Sequence, residues 1–307
     1  MNIIEQAARR LEELRRSGVE IPAPTPAKGL GAQPDAAPIR PRGSVSGRDG
    51  AASRPAPLPA NDPSTPALEL DLRRLASMGY VTPDNPRTQI ANEFRVIKRP
   101  ILSNVQNRSA APVERANLIM VTSSLPGEGK TFVAINLAIS IAMELDTTVL
   151  LVDADVSRPS VLQRLNLPAS PGLLDILTDS SRSIGDVLLR TSLDKLSILP
   201  AGAPKGHATE LLASVQMARV VDELATRYSD RIIVFDAPPL LVSTESRVLA
   251  THMGQVVVVV ESERTPHHTV TNALTTLEAC PVVLPLLNKA SRPDVGSYYG
   301  YYGPEAK

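Results

Sequence analysis

Residues 124–131, SLPGEGKT, combine glycines, a lysine and a threonine in a spacing that suits the binding of a phosphate chain. A strand-like run precedes them and a helical stretch follows. In this context, Gly127 and Gly129 let the backbone direct its N–H groups at phosphate oxygens. Lys130 can reach the β- and γ-phosphates, and Thr131 can offer its hydroxyl to Mg²⁺. The sequence therefore predicts a phosphate-binding loop (P-loop) that opens onto the positive end of a helix.

Ser124 departs from the motif, which has glycine at that position, and a chance loop of similar composition is the alternative interpretation. The strand–loop–helix order favours the P-loop. The predicted nucleotide-binding residues in and after the loop are Pro126, Gly127, Glu128, Gly129, Lys130, Thr131 and Phe132.

Carboxylates follow two later apolar runs. Asp153 ends the run VLLVD, Asp155 follows it by two residues, and Asp236 ends the run RIIVFD. The carboxyl ends of parallel strands are where ligands collect, and a spacing of two residues directs both side chains of the first pair to one side. The alternative is that these residues only close the strands as turns. Together with the P-loop, they indicate a nucleoside triphosphatase or phosphotransferase with Mg²⁺, in which Asp236 matches the second metal-positioning carboxylate of P-loop enzymes.

The elements that must position these residues alternate between strand and helix. The strand candidates are NLIMVTS, TVLLVD, LSILPA, RIIVFDAP, QVVVVVES and VVLPLLN. Continuous apolar runs, rather than alternating ones, are typical of strands covered on both faces. The predicted fold class is α/β over residues 68–290. It is of the P-loop nucleoside-triphosphatase type, with a mostly parallel sheet and helices on both faces. A helix interrupted at Pro100 is predicted near its start.

The flanking segments differ from this domain in composition. Residues 1–20 carry an apolar helical stripe and are predicted to be an amphipathic docking helix. Residues 21–67 are rich in proline and predicted to be a disordered linker. Residues 291–307 form a predicted flexible tail that contains Tyr298, Tyr299, Tyr301 and Tyr302, although the whole chain has only six tyrosines.

The overall composition excludes several functional classes. The formal net charge is zero, so nothing global favours a nucleic-acid partner. No run of eighteen apolar residues indicates a membrane span, and no signal peptide is expected. We interpret Cys280 as a buried thiol and the pair His267 and His268 as the exposed start of a helix rather than a metal site.

The P-loop, the paired aspartates, the DAPP segment after the later strand and the terminal tyrosines together resemble the bacterial tyrosine autokinases. The similarity covers residues 87–302 and includes PAGAPKGHATELLAS. The N-terminal helix and the ending LLNKASRPDVGSYYGYYG resemble the free-standing subgroup associated with exosortase-type polysaccharide loci. The resemblance implies an ATP- and Mg²⁺-dependent protein-tyrosine kinase that phosphorylates its own tyrosine cluster in trans and regulates exopolysaccharide synthesis and export.

The resemblance also assigns roles. Lys130 and Thr131 would hold the phosphates and Mg²⁺, while Asp155 and Asp236 would lie near the metal. Asp153 would act as the base for the incoming phenol, although the sequence leaves its division of roles with Asp155 open. A base is needed because a phenol has a pKa near 10.

Asn288 resembles a base-contacting asparagine, with capping of the last strand as the alternative. Tyr298, Tyr299, Tyr301 and Tyr302 would be the phosphoacceptors. Implied partners are a membrane polysaccharide co-polymerase or chain-length regulator and further copies of the chain in a ring. The implied location is cytoplasmic, at the inner face of the membrane.

The sequence departs from the family at two places. Where the family has arginine two residues after the second aspartate, this chain has Ser157, followed by Arg158. In the helix that the family uses for subunit contacts, the register of glutamate and two arginines reads Asn92, Arg95 and Lys98.

Two alternatives are weighed against the kinase. The partitioning type of ATPase carries a second P-loop lysine, and the matching residue here is Leu125, which disfavours that class. A non-kinase P-loop ATPase switch that regulates a membrane polysaccharide complex is the other alternative.

Overall fold

The computed structural model describes residues 67–106, 111–228 and 230–290. The predicted helix at 1–20, nearly all of the linker at 21–67 and the tyrosine tail at 291–307 lie outside the described residues, so those three predictions stay predictions.

The described chain alternates strands and helices. The strands are β1 (Leu118–Ser123), β2 (Thr148–Asp153), β3 (Leu189–Arg190), β4 (Leu196–Leu199), β5 (Arg231–Asp236), β6 (Gln255–Glu261) and β7 (Val282–Asn288). The helices are α1 (Leu72–Ser77), α2 (Gln89–Val105), α3 (Lys130–Ala142), α4 (Val161–Leu165), α5 (Leu173–Thr178), α6 (Ala208–Leu212), α7 (Val215–Arg227), α8 (Thr244–Ala250) and α9 (His267–Thr275).

The seven strands form one sheet in the order β3-β4-β2-β5-β1-β6-β7. Every pairing is parallel except that of β3 with β4. The register places Asp153 opposite Asp236, so two of the predicted site carboxylates end adjacent strands at the same height. β1, which leads into the P-loop, lies between β5 and β6 near the middle of the sheet.

Alternate residues of the central strands supply two separate cores, one on each face of the sheet. In β1, Leu118 and Met120 pack into one core and Ile119 and Val121 into the other. Helices α5 to α9 cover the first face, while α2, α3 and α4 cover the second. The predicted fold class, a mostly parallel sheet with helices on both faces, is confirmed.

The six predicted strands are all present, and the details differ in three places. β3 is a two-residue antiparallel strand that has no periodicity to detect. The segment TELLASVQMARVVDELATRY, residues 209–228, is predicted from its sequence to be one helix but is divided into α6 and α7 at Ser214, whose side chain caps α7. The predicted interruption at Pro100 is wrong, because α2 continues through it. Proline removes one backbone donor, and buried Phe94, Ile101 and Leu102 hold the helix on both sides of it.

Lys98 differs from its predicted place on a subunit-contact face. Its ammonium group is buried, donates to the carbonyl oxygen of Ser140 and lies 2.7 Å from a carboxylate oxygen of Glu144. Lys98 therefore ties α2 to α3 within one chain. Asn92 and Arg95 remain exposed on the same helix.

Two further expectations concern surface features. His267 and His268 are exposed at the first turn of α9, as predicted, and Cys280 is half-buried rather than fully buried. Within the described ranges, every helix is too short or too polar to cross a lipid bilayer.

Candidate active site

The P-loop connects the end of β1 to the start of α3. Gly127 and Gly129 have φ angles of +90° and +100°, which glycine adopts without steric cost. A Cβ atom on Gly129 would lie 2.2 Å from Asn288 Nδ2, whereas one on Gly127 would meet nothing within 4 Å. Ser124 is buried, and its hydroxyl has no hydrogen-bond partner among the described residues. The backbone conformation therefore favours glycine at position 129, and a Cβ atom there would also require the Asn288 side chain to shift.

Glu128, between the two glycines, turns its side chain into the protein. Its carboxylate accepts hydrogen bonds from the N–H of Leu125 at 2.6 Å, the hydroxyl of Thr265 and the N–H of Glu261 at 3.4 Å. This inward side chain fixes the shape of the loop. For the predicted role of Glu128 in nucleotide binding, only its backbone is available.

Lys130, the first residue of α3, is held between two carboxylates. Its Nζ atom lies 2.7 Å from Asp155 Oδ2 and 3.2 Å from Asp236 Oδ1. Burial alone would lower the pKa of Lys130, but these two carboxylates outweigh it and the pKa is raised. The lysine therefore stays protonated, and it neutralises part of the negative charge of the site.

Asp236 ends β5 and is fully buried. One carboxylate oxygen binds Lys130, and the other has no hydrogen-bond partner among the described residues. Burial raises the pKa of Asp236, while Lys130 and the hydroxyl of Thr131 act in the opposite direction. An orphaned, buried carboxylate oxygen is costly unless a ligand supplies a positive charge or a donor.

Asp153 uses one oxygen for structure and leaves the other free. Its Oδ2 atom accepts the N–H groups of Ser160 at 3.1 Å and Val161 at 3.0 Å, which anchors the start of α4. Its buried Oδ1 has no partner among the described residues. Burial, reinforced by the charge of Asp236, raises the pKa of Asp153 to about 7. A carboxylate with this pKa can take up a proton near neutral pH.

The three predicted metal ligands converge on the Lys130 ammonium group. Thr131 Oγ1 lies 3.3 Å from Lys130 Nζ, in addition to the contacts of Asp155 and Asp236. The structure thus already places a cation among these oxygen atoms. An all-oxygen set with two carboxylates suits Mg²⁺, which usually completes its shell with water and substrate phosphates. The residues therefore fit Mg²⁺.

A cavity of about 810 Å³ has Asp153 in its wall. Its walls include the apolar side chains of Leu162, Leu167, Pro171 and Pro200. Apolar walls of this kind suit an aromatic ring. Buried Asp153 therefore lies in the wall of a space that is large enough for a side chain of another peptide.

The remaining predicted residues occupy varied positions. Pro126 is exposed at the tip of the loop. The ring of Phe132 is half-buried with its centroid 4.9 Å from that of Tyr80, so its side chain serves packing. Asn288 donates its side-chain N–H to the carbonyl oxygen of Glu128 at 2.8 Å, and it therefore contacts the loop directly. The side chain of Arg158 is exposed, and its backbone N–H donates a hydrogen bond to Asp155 Oδ1 at 3.2 Å.

Two residues of the site were missed by the sequence reasoning. Ser160 lies with its hydroxyl 3.3 Å from that of Thr131, and Lys289 contacts the P-loop backbone. The signal for Ser160 was a small polar residue just before a helix. The signal for Lys289 was a charged residue directly after the last strand.

Comparisons with known proteins agree with this geometry. A sequence profile of the family described as AAA domain matches residues 116–282. The tyrosine-protein kinase YwqD of Bacillus subtilis (strain 168) is 29% identical over 220 residues, which cover 71% of this chain and 88% of the relative.

Two further similarities extend this result. The succinoglycan biosynthesis transport protein ExoP of Rhizobium meliloti (strain 1021) is 28% identical over 236 residues, which are 74% of this chain but only 28% of ExoP. Among solved structures, the kinase domain of the Escherichia coli tyrosine kinase ETK superposes with a TM-score of 0.59 at 25% identity. That match covers 69% of this chain and 80% of the ETK domain.

Proposed function

The chain belongs to the AAA domain family, and from this premise we propose that it is an ATP- and Mg²⁺-dependent protein-tyrosine kinase. Its phosphoacceptors would be Tyr298, Tyr299, Tyr301 and Tyr302 of another copy of the chain. Relatives named as bacterial tyrosine kinases support this class of activity. The single observation that carries the proposal is the Lys130 ammonium held between Asp155 and Asp236 at the mouth of the P-loop.

In the proposed reaction, the N–H groups of the P-loop and the ammonium group of Lys130 bind the phosphates. Thr131, Asp155 and Asp236 hold Mg²⁺, which when bound offsets the charge of the phosphate oxygens. Asn288 and the backbone from Pro126 to Phe132 complete the nucleotide site.

The acceptor phenol enters the cavity beside Asp153. The phenol oxygen forms a bond to the γ-phosphorus while the bond from that phosphorus to the bridging oxygen of ADP breaks. The phenol proton passes to the free Oδ1 atom of Asp153, whose other oxygen keeps the carboxylate fixed on α4. The division of roles is thus that Asp155 holds Lys130 and the metal, and Asp153 takes the proton.

The proposed cellular role is regulation of exopolysaccharide synthesis and export. ExoP, a succinoglycan biosynthesis transport protein by name, supports this role through its similarity over 74% of this chain. The proposed partners are a membrane polysaccharide co-polymerase, which would recruit the chain from the cytoplasm through residues 1–20, and further copies of the chain. Exposed Asn92 and Arg95 are available for subunit contact, whereas Lys98 is engaged inside the chain.

The test mixes two variants. One chain carries Lys130→Arg and an intact tail, and the other is active but has phenylalanine at all four tail tyrosines. Arginine is preferred to methionine because methionine would leave two buried carboxylates without a cation and destabilise the fold. The compact ammonium group is lost in both cases.

Phosphotyrosine should appear only on the Lys130→Arg chain, as measured by mass spectrometry of tail peptides. If each variant alone is unlabelled and the mixture stays unlabelled, transfer in trans is contradicted. If the wild-type chain hydrolyses ATP without any phosphotyrosine, the protein is a P-loop ATPase switch rather than a kinase.

A further inference from the structure

The end of β7 lies against the back of the P-loop. Asn288 donates to the carbonyl oxygen of Glu128 at 2.8 Å, and Lys289 Nζ donates to that of Gly127 at 2.8 Å. Lys289 Nζ also lies 3.1 Å from Glu261 Oε2 at the end of β6. The last residue of β7 and the residue after it therefore bind two consecutive carbonyl groups of the loop.

These contacts determine where the loop's N–H groups point. In a trans peptide unit, the carbonyl oxygen and the N–H of the following residue lie on opposite sides. Holding the carbonyl of Gly127 therefore turns the N–H of Glu128 away from Lys289. Holding the carbonyl of Glu128 turns the N–H of Gly129 away from Asn288 in the same manner. Both N–H groups are thereby set on the side where a P-loop binds phosphate.

The backbone of Lys289 has an unusual conformation for this contact. Its φ angle is +57°, in the left-handed region that favours glycine. A lysine there is strained, and strain of this kind persists where surrounding contacts over-determine it. The side-chain contacts with Gly127 and Glu261 are of this kind. The amine of Lys289 therefore makes contacts that a glycine at this position could not make.

Glu261 links this contact to the rest of the loop. Its carboxylate accepts from Lys289, which lowers the pKa of Glu261, and its backbone N–H reaches the inward carboxylate of Glu128. Arg264 also pairs with Glu261, at 3.4 Å, but is largely exposed. Lys289 thus joins Gly127 to an element that already holds Glu128.

We propose that Lys289 is a positioning residue that orients the P-loop N–H groups for nucleotide phosphates by binding the carbonyl oxygen of Gly127. The proposal rests on the nucleotide binding of the proposed function. It does not require phosphate transfer.

The test measures the affinity for Mg-ADP by calorimetry, KM and kcat for ATP, and the melting temperature without nucleotide. Lys289→Gln should weaken Mg-ADP binding and raise KM about five-fold, the effect of one net hydrogen bond, with kcat changed less than two-fold. Lys289→Arg, which keeps the charge and the donors, should restore most of the affinity.

Two variants separate positioning from stability. Lys289→Gly removes the amine and relieves the strained backbone, so affinity should fall as in Lys289→Gln while the melting temperature holds or rises. Arg264→Gln removes the other cation that pairs with Glu261 without touching the loop, and its affinity should match that of the wild type.

Equal affinity in Lys289→Gln and the wild type would overturn the proposal. A loss of affinity in Lys289→Gln that Lys289→Gly restores together with stability would also overturn it. If the wild type binds Mg-ADP but transfers no phosphate, the kinase assignment falls while the Lys289 comparison still decides this proposal. A wild-type chain that binds no nucleotide contradicts both.

Discussion

The two sides of the P-loop are built from charges in different environments. On the side of β2 and β5, the three aspartates are buried and the Lys130 side chain is only 12% exposed, and two carboxylate oxygens have no partner among the described residues. On the side of β6 and β7, Lys289 and Glu261 are partly exposed and paired with each other. Buried charges interact strongly, whereas exposed pairs are screened and contribute little. We infer that the first side carries the chemistry and the second side sets its geometry.

The largest effect should come from the buried side. Asp153→Asn keeps an oxygen acceptor for the N–H groups of Ser160 and Val161 but removes the proton acceptor. Phosphotyrosine formation should fall by about 10²- to 10⁴-fold, the usual contribution of a general base. Mg-ADP affinity should remain within about three-fold of the wild type, as measured by calorimetry. A parallel loss of nucleotide binding would show that Asp153 belongs to the metal site instead.

A smaller effect should come from the contact between the loop and β7. Gly129→Ala should lower the free energy of unfolding by about 3 kcal/mol, since it combines a left-handed backbone with a close approach to Asn288. Gly127→Ala, which has a similar φ angle but open space, should cost about 1 to 2 kcal/mol.

The difference between these two variants isolates the Asn288 contact. Adding Asn288→Ala to Gly129→Ala should recover about 1 kcal/mol in urea denaturation, because the close atom is removed. If Gly129→Ala and Gly127→Ala lower the free energy of unfolding equally, the loop can move away from β7 without cost.

The most gradual effect is a pH dependence, on the order of 1 kcal/mol per pH unit. The pKa of Asp153 is raised from 3.8 to about 7, so the folded state binds a proton that the unfolded state releases. This contribution to stability is fully present below pH 4 and is lost as the pH rises through 7. In metal-free buffer, Asp153→Asn should therefore be more stable than the wild type at pH 8.

The advantage of Asp153→Asn should shrink as the pH falls towards 4, measured as the difference in urea denaturation between the two proteins. A constant difference from pH 4 to pH 8 would place the titration elsewhere. Because the base must be unprotonated, phosphotyrosine formation by the wild type should rise with pH through the same region.

The sequence predicts the parts of this molecule that depend on local pattern. The buried strands, the P-loop and Asp153, Asp155 and Asp236 all follow from apolar runs and from residue spacing. The structure brings Lys130 together with all of the predicted metal ligands. The convergence of these residues can be predicted from the sequence because parallel strands end at one edge of the sheet.

The features that were missed depend on contacts between distant segments. To predict the burial of Lys98, one must know that Glu144 lies beside it. To predict the inward turn of Glu128, one must know the position of Thr265. The role of Lys289 requires the register of β7 on β6, which places its amine at the loop. Nothing in the local sequence around these three residues contains that information.

The position of β1 has a consequence for the synthesis of the protein. Its two neighbours, β5 and β6, are far downstream, with Leu118 paired to Ile233 and Ile119 to Gln255. β1 therefore emerges from the ribosome long before β5 and β6 have been synthesised. Until then, the apolar residues of β1 have no strand to pair with. Sheets with such non-local pairings form slowly and expose sticky edges meanwhile. Nascent chains that stop before residue 255 should consequently depend on chaperones, whereas chains that extend past Asn288 can close the whole sheet at once.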